Sequence, residues 1–386
     1  MNQTARFHIP SLNGLRAVSI LVVFIGHAKA LELTVGGGIG VTIFFFISGY
    51  LITTLLRREY DRHNTISLKD FYYRRFLKII PPMVVTILVG AILIQVGVID
   101  FTISGQQIAI MLLFATNYAR AFDFAAIPEP LFVLWSLSVE EHFYIVFPLI
   151  YIALRKWIPN RMVQAAILVA ACTVILGWRS HLYFDAGVAW QPLNTRTDTR
   201  ADALLWGCVL AVAFNPALDK TRGTVTLWKW FAAPAGAALI VAANLGTGFE
   251  SHIGYTLQSL GIGLVVIPAI RYAHWWIFRP LNWRIVDWLG RISYSFYLVH
   301  YLVIWAIDSQ FEMNGYLSTL ASFVITTFLA WMMFKLVEEP LAKLRSKRSH
   351  AGERANGSES EHAQIAHQTT SRSARSVAAP SGTSES

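Results

Sequence analysis

The sequence predicts an all-α fold: a polytopic membrane helix bundle of about ten transmembrane helices, with both termini cytoplasmic. The first observation is composition. Of 386 residues, 55% are hydrophobic and 14% charged, with mean hydropathy +0.47, where soluble domains carry about a quarter charged residues. The second is the recurrence of apolar runs, at 14–33, 39–56, 79–98, 134–154, 163–178, 201–214, 228–246, 254–272, 292–308 and 317–336. The third is the placement of positive charge, which accumulates in cytoplasmic loops. With these ten spans, one set of loops holds seventeen Lys and Arg and the opposite set holds four.

The first run, Leu15 to Ala28, lacks a basic leader and a small-x-small cleavage site, so it is expected to persist as a helix. Within it Arg16 and His27 are eleven residues apart, which returns almost to the same helix face about 16 Å further along. Ionisable groups inside a span are costly unless they face protein or water. His27 fits either a helix-end histidine bonded to a neighbour, near Lys29 and Glu32, or a titrating group. Arg16 either snorkels to the headgroups or works in a site.

The second run carries Ser48-Gly49, which suits close helix packing. Ser48 lacks the G-x-S-x-G context of a nucleophile. The loop at 57–78 is the most basic of the chain and is expected to be cytoplasmic. At its end, in FYYRRFLKIIPP, Arg74, Arg75 and Lys78 cluster at the mouth of the third span. They form a topological anchor or a cradle for a phosphate-bearing ligand. Pro81 and Pro82 are expected to break or bend the helix.

The stretch at 105–117 is apolar, but letting it cross would put every later basic loop on the wrong side. It is expected to lie on or dip into the outer face. In LWSLSVEEHFYIVFP, Glu140 and Glu141 are adjacent and so point about 100° apart on a helix. Either they start a helix near the surface, complementing its dipole, or at least one faces the interior.

Arg200 and Asp202, in TRADALLWG, are expected to form an ion pair at a span entrance. His300 lies mid-span, and Glu338-Glu339 lie just past the last span. Cys172 and Cys208 sit in apolar segments with no zinc-type spacing, so neither a disulfide framework nor a metal site is expected. From about Ser346 large apolar residues almost vanish. The expected organisation is a membrane domain over 1–345 and a disordered cytoplasmic tail over 346–386. The net charge of +9 lies in short loops and the tail, which fits topology and anionic lipid rather than nucleic acid.

Taken in order, NGLRAVSILVVFIGHA (13–28), GVTIFFFISGYLIT (40–53), FYYRRFLKIIPP (71–82), WSLSVEEHFYIVFP (135–148), TRADALLWGCVLA (199–211) and GRISYSFYLVH (290–300) resemble the acyltransferase 3 family of integral membrane O-acyltransferases. The resemblance covers most of residues 8–340. It implies a ten-helix protein of the bacterial cytoplasmic (inner) membrane. The implied activity moves an acyl group, usually acetyl, from cytosolic acyl-CoA to a hydroxyl of a carbohydrate or glycolipid acceptor.

Residue by residue, the family's helix-one arginine and histidine match Arg16 and His27. Its basic motif matches Arg74 and Arg75, and its glutamate pair matches Glu140 and Glu141. Thr42 and His142 depart from the family, which commonly has an acid and a glutamine there. The extracellular esterase-like domain of some members is not expected.

The corresponding mechanism makes His27 the base for the acceptor hydroxyl, with Glu140 or Glu141 orienting its ring and Arg16 steadying the thioester. Arg74, Arg75 and Lys78 hold the coenzyme A phosphates. The rival class is a secondary transporter or flippase using the intramembrane His, Glu and Arg, against which stands the lack of an internal repeat. An inactive scaffold is the third class, against which stand His27, Glu140 and Glu141.

Overall fold

A computed structural model describes residues 7–28, 37–219, 228–244, 246 and 249–344. The expected tail at 346–386 and the interfacial residues Lys29 and Glu32 lie outside the described residues. Among the described residues all regular structure is helical. In chain order the helices are α1 (Leu12–His27), α2 (Gly38–His63), α3 (Leu68–Gln95), α4 (Gly105–Leu112), α5 (Thr116–Ala121), α6 (Glu129–Phe132), α7 (Leu134–Trp157) and α8 (Arg161–Phe184). They continue with α9 (Trp190–Thr195), α10 (Thr197–Ala213), α11 (Ala233–Ala242), α12 (Tyr255–Arg271), α13 (Arg284–Arg291), α14 (Ser293–Gln310) and α15 (Gly315–Met333).

Each of the ten apolar runs overlaps a helix among the described residues, and the chain is a polytopic membrane protein. Six helical stretches are long and apolar enough to cross a bilayer: Gly38–His63, Leu68–Gln95, Glu129–Trp157, Arg161–Phe184, His252–Arg271 and Gly315–Leu344. Leu12–His27 and Trp228–Ala242 are apolar but shorter. α10 and α14 have a different character because they carry buried polar groups, including Thr199, Arg200 and Asp202 on one and Ser293, Ser295 and His300 on the other. Helices enclosed by protein can hold such groups, while lipid-facing ones cannot. α4 has 8 residues, about 12 Å, against a hydrocarbon thickness of about 30 Å. The helix within the 105–117 stretch is therefore too short to cross by itself.

Close helix approach rests on small residues, as expected where lipid offers no hydrophobic drive between helices. A Cβ on Gly49 of α2 would lie 1.9 Å from the Leu204 carbonyl oxygen of α10. One on Gly207 of α10 would lie 2.1 Å from the Phe46 carbonyl oxygen of α2. On α15 the buried residues are Ser318, Ser322, Thr326 and Ala330, a stripe at four-residue spacing, while Leu320, Val324 and Phe328 are exposed on the apolar face.

One local expectation is corrected, and at the two prolines the choice between a break and a bend is narrowed. Arg200 and Asp202 do not pair, because two residues apart on a helix they point to different sides. Asp202 instead meets Arg179 of α8 at 3.0 Å, with both side chains fully buried. Arg179 also donates to the Thr199 carbonyl at 2.6 Å and to Thr256 Oγ1 at 2.8 Å. Arg200 donates to Thr42 at 2.9 Å and covers the Tyr255 ring at 3.6 Å. Pro81 and Pro82 do not break α3, which runs through them as one element. The Tyr294 hydroxyl binds the adjacent Ile79 carbonyl at 2.7 Å.

Candidate active site

The bundle has a basic end, where α2 passes into α3 and α7 into α8, and a far end, where α1 stops and α4, α5, α6 and α9 gather. The start of α1 is fastened at the basic end. The Ser11 amide donates to Asn282 at 2.8 Å, and the Asn13 side-chain amide donates to Asp287 at 2.9 Å. α1 therefore carries Arg16 near one end of the bundle and His27 near the other.

Toward the basic end lies a cavity of about 70 Å³ between α1, α2, α3, α7 and α14, whose polar lining includes Arg16, Ser48, Arg75, Lys78, Glu140 and Tyr144. Ser48 Oγ donates to Glu140 Oε1 at 2.8 Å. The charges acting on Arg16 are Glu338, Glu140 and Arg75. Glu338, in the turn that extends α15, accepts a hydrogen bond from Ser295. The Arg75 guanidinium lies over the Tyr144 ring at 4.9 Å. This volume holds about five waters. It suits a thin flexible chain or a small acyl group better than a sugar ring.

A second cavity, of about 180 Å³, lies at the far end and contains His27, Arg120, Glu129, Trp135, Trp190 and Tyr301 among its lining. Arg120 Nη1 donates to both oxygens of Glu129, at 3.1 and 2.9 Å. The His27 ring stands 4.5 Å from that of Tyr301. His27 Nδ1 donates to the Val23 carbonyl at 2.9 Å, and His300 Nε2 lies 3.4 Å from the same nitrogen. Between the cavities, Tyr297 donates its hydroxyl to the Val133 carbonyl at 2.9 Å and lies 2.6 Å from Ser136 Oγ.

The structure thus brings Arg16, Arg75, Lys78 and Glu140 into one cavity and His27 into another. Among the described residues no hydrogen bond joins Glu140 or Glu141 to the His27 ring. Glu140 sits one helical turn beyond Ser136 and is bonded to Ser48 of α2, while Glu129 shares the cavity of His27. Glu141 is not among the residues lining either cavity, and its Oε1 is buried without a donor. Arg74 turns away to Glu59 at 3.4 Å.

Sequence reasoning missed Arg120 and Glu129, because they lie in helices of six and four residues, too short to show an apolar period, and look like ordinary solvated charges. It also missed Ser48 as a cavity residue, since Gly49 beside it explains the packing. Of the two departures from the family, Thr42 donates to Gln258 at 2.9 Å, and His142 Nδ1 lies 2.8 Å from Thr197 Oγ1. Among the described residues no group of three or more His, Cys, Asp and Glu is placed to hold a metal ion.

An acyltransferase domain family matches residues 9–335, which takes in every cavity residue named above. The chain belongs to this acyltransferase family. It is 28% identical over 373 residues to the peptidoglycan O-acetyltransferase OatA of Listeria monocytogenes, spanning 89% of this chain and 58% of that protein. It is 30% identical over 365 residues to the O-acetyltransferase OatA of Staphylococcus aureus, spanning 87% of this chain and 57% of that protein. The acyltransferase chain therefore spans less than two thirds of the length of these relatives. No solved structure matches it.

Proposed function

We propose that the protein is a membrane O-acetyltransferase of the bacterial cytoplasmic membrane, moving acetyl from cytosolic acetyl-CoA to a hydroxyl of an exported or surface glycan. In this reading ten helices cross the bilayer and both termini are cytoplasmic. Residues 1–345 form the catalytic membrane domain, and 346–386 form a tail without a catalytic role. The basic end is the cytoplasmic face, in keeping with its Lys and Arg.

The observation that carries the reading is the pair of cavities on opposite sides of the Tyr297–Ser136 contact. One is lined by Arg16, Arg75 and Lys78; the other holds His27 at the far end. Arg75 and Lys78 hold the phosphates of the donor, a task suited to a guanidinium fork and a mobile ammonium. The pantetheine arm runs through the narrow cavity past Arg16, which steadies the donor there, and the acyl end reaches beyond Tyr297 to the far cavity. Glu140 holds Arg16 and Arg75 in place by charge.

The acceptor enters the far cavity, where Trp135, Trp190 and Tyr301 offer aromatic faces and the Arg120–Glu129 pair offers polar contacts. His27 Nε2 takes the proton of the acceptor hydroxyl, whose oxygen attacks the thioester carbon. The C–S bond breaks, and the thiolate takes the proton back from His27. A glycan of the peptidoglycan type is the acceptor that the names of the relatives favour.

The test is acetyl transfer by the purified protein in nanodiscs, using acetyl-CoA and a β-1,4-linked N-acetylglucosamine oligosaccharide. CoA release that depends on the glycan, with an acetyl ester on the glycan by mass spectrometry, is the expected result. His27→Ala should abolish both while the protein keeps its thermal unfolding profile. Near-normal transfer by that variant removes His27 from the mechanism.

A further inference from the structure

We infer that His300 is the positioning residue of His27, holding its ring in one tautomer and supporting the cation formed during transfer; this rests on the proposed role of His27 as base. The inference starts from two carbonyls. A carbonyl oxygen only accepts, so a ring nitrogen in hydrogen-bond contact with one must carry a proton. His27 Nδ1 lies 2.9 Å from the Val23 carbonyl, and His300 Nδ1 lies 2.6 Å from the Tyr297 carbonyl. Both neutral rings are therefore Nδ1-protonated, and each Nε2 carries a lone pair.

The His300 lone pair lies 3.4 Å from His27 Nδ1, so the one His27 N–H is shared between the Val23 carbonyl and His300. His27 Nε2 has no hydrogen-bond partner among the described residues, and the side chain lines the far cavity. The arrangement fixes which nitrogen is donor and which is base, the function an orienting acceptor serves for any catalytic histidine. Among the described residues no carboxylate bonds to His27; the charged residues lining its cavity are Arg120 and Glu129, bonded to each other.

His300 is 0% exposed in a helix where lipid-compatible residues would serve packing equally well. When His27 Nε2 takes the acceptor proton, the positive charge is shared onto Nδ1–H, whose bonds to the Val23 carbonyl and His300 Nε2 strengthen. His300 stays neutral throughout and neither gains nor loses a proton. It touches no substrate.

Two substitutions separate this role from packing. In His300→Asn the amide occupies the place of Nδ1 and keeps a partner for Tyr297, but nothing reaches His27. In His300→Gln the amide extends to the place of Nε2. With acetyl-CoA and the oligosaccharide above, His300→Asn should lower kcat about tenfold, the worth of one buried hydrogen bond, with KM for acetyl-CoA changed less than about twofold. His300→Gln should recover most of the loss.

Nitrogen-15 histidine spectra of the wild-type protein should show His27 protonated at Nδ1 when neutral. The inference is overturned by an Nε2-protonated neutral His27, by unchanged kcat in His300→Asn, or by equal losses in the Asn and Gln variants at wild-type thermal stability. Transfer surviving in His27→Ala overturns the base itself. Transfer lost in His27→Ala but unchanged in His300→Asn overturns only the positioning role.

Discussion

Ser48 of α2 donates its hydroxyl to Glu140 of α7 at 2.8 Å, joining two spans across the cationic cavity. Glu140 also feels Arg16, Arg75 and Lys78, so this one contact sets where three positive charges find their counter-charge. Ser48→Ala leaves the buried carboxylate short of a donor, which costs about 1–3 kcal/mol. Thermal unfolding in detergent should show the loss. The double variant Ser48→Ala with Glu140→Gln should lose less than the sum of the singles, because each change removes the other's unmet partner. Strict additivity would mean that the contact contributes nothing.

The basic motif divides in the structure. Arg75 and Lys78 line the cavity, while Arg74 is bound to Glu59 at 3.4 Å. Arg75→Ala and Lys78→Ala should each raise KM for acetyl-CoA about tenfold, the typical worth of a charge-assisted phosphate contact. Arg74→Ala should change it by less than about threefold. Competition by free coenzyme A measures the same partition without turnover. Equal effects at Arg74 and Arg75 would show that the donor reaches both, against the division seen here.

The division also shows what a linear reading can and cannot recover. Hydropathy and loop charge suffice for the helices, because burial in lipid and the bias of Lys and Arg act on each segment separately. Arg16 and Glu140 were legible as candidates because each is costly inside a span, and Arg75 and Lys78 because they cluster at the mouth of the third one. Which of them meet was not legible. Spacing along α1 says that Arg16 and His27 share a face, but not that separate cavities open onto that face, one beside Tyr297 and one beside Tyr301. Glu129 and Arg120 come from helices too short to show a period, and Arg179 replaces Arg200 as the partner of Asp202 only through the packing of α8 on α10.

The α2–α10 contact gives a sharper stability test than any polar pair. An added methyl at Gly49 or Gly207 meets backbone, which cannot rotate aside, so Gly49→Ala and Gly207→Ala should each cost about 1–3 kcal/mol or prevent folding. Gly177, in the interior of α8, has open space where its Cβ would go. Gly177→Ala should be neutral or stabilising by up to about 1 kcal/mol through helix propensity. Unfolding temperatures of the three variants in one detergent compare them directly. Similar losses at all three would deny the tight approach of the two helices.

At the basic end Asp219 gathers Arg57 of α2 and Arg161 of α8, at 3.1 Å for the second, and receives the Asn215 amide at 2.9 Å. Burial alone would raise the carboxyl, but the Arg57 hydrogen bond and charge, helped by Asn215 and Arg161, hold it below its ordinary value of 3.8. A carboxyl lowered by folding adds stability that is complete above its unfolded value and disappears as pH falls through the lowered folded value. Asp219→Asn should therefore lower the unfolding temperature at pH 7, by the equivalent of about 1–2 kcal/mol after allowance for partial solvent screening. The gap to wild type should narrow below about pH 4, as the wild-type carboxylate is itself protonated. A gap that stays constant from pH 7 to pH 3 would assign the loss to altered shape rather than charge. That outcome would leave Arg57, bonded also to the Ala211 carbonyl at 3.0 Å, as the group that ties α2 to α10 at this end.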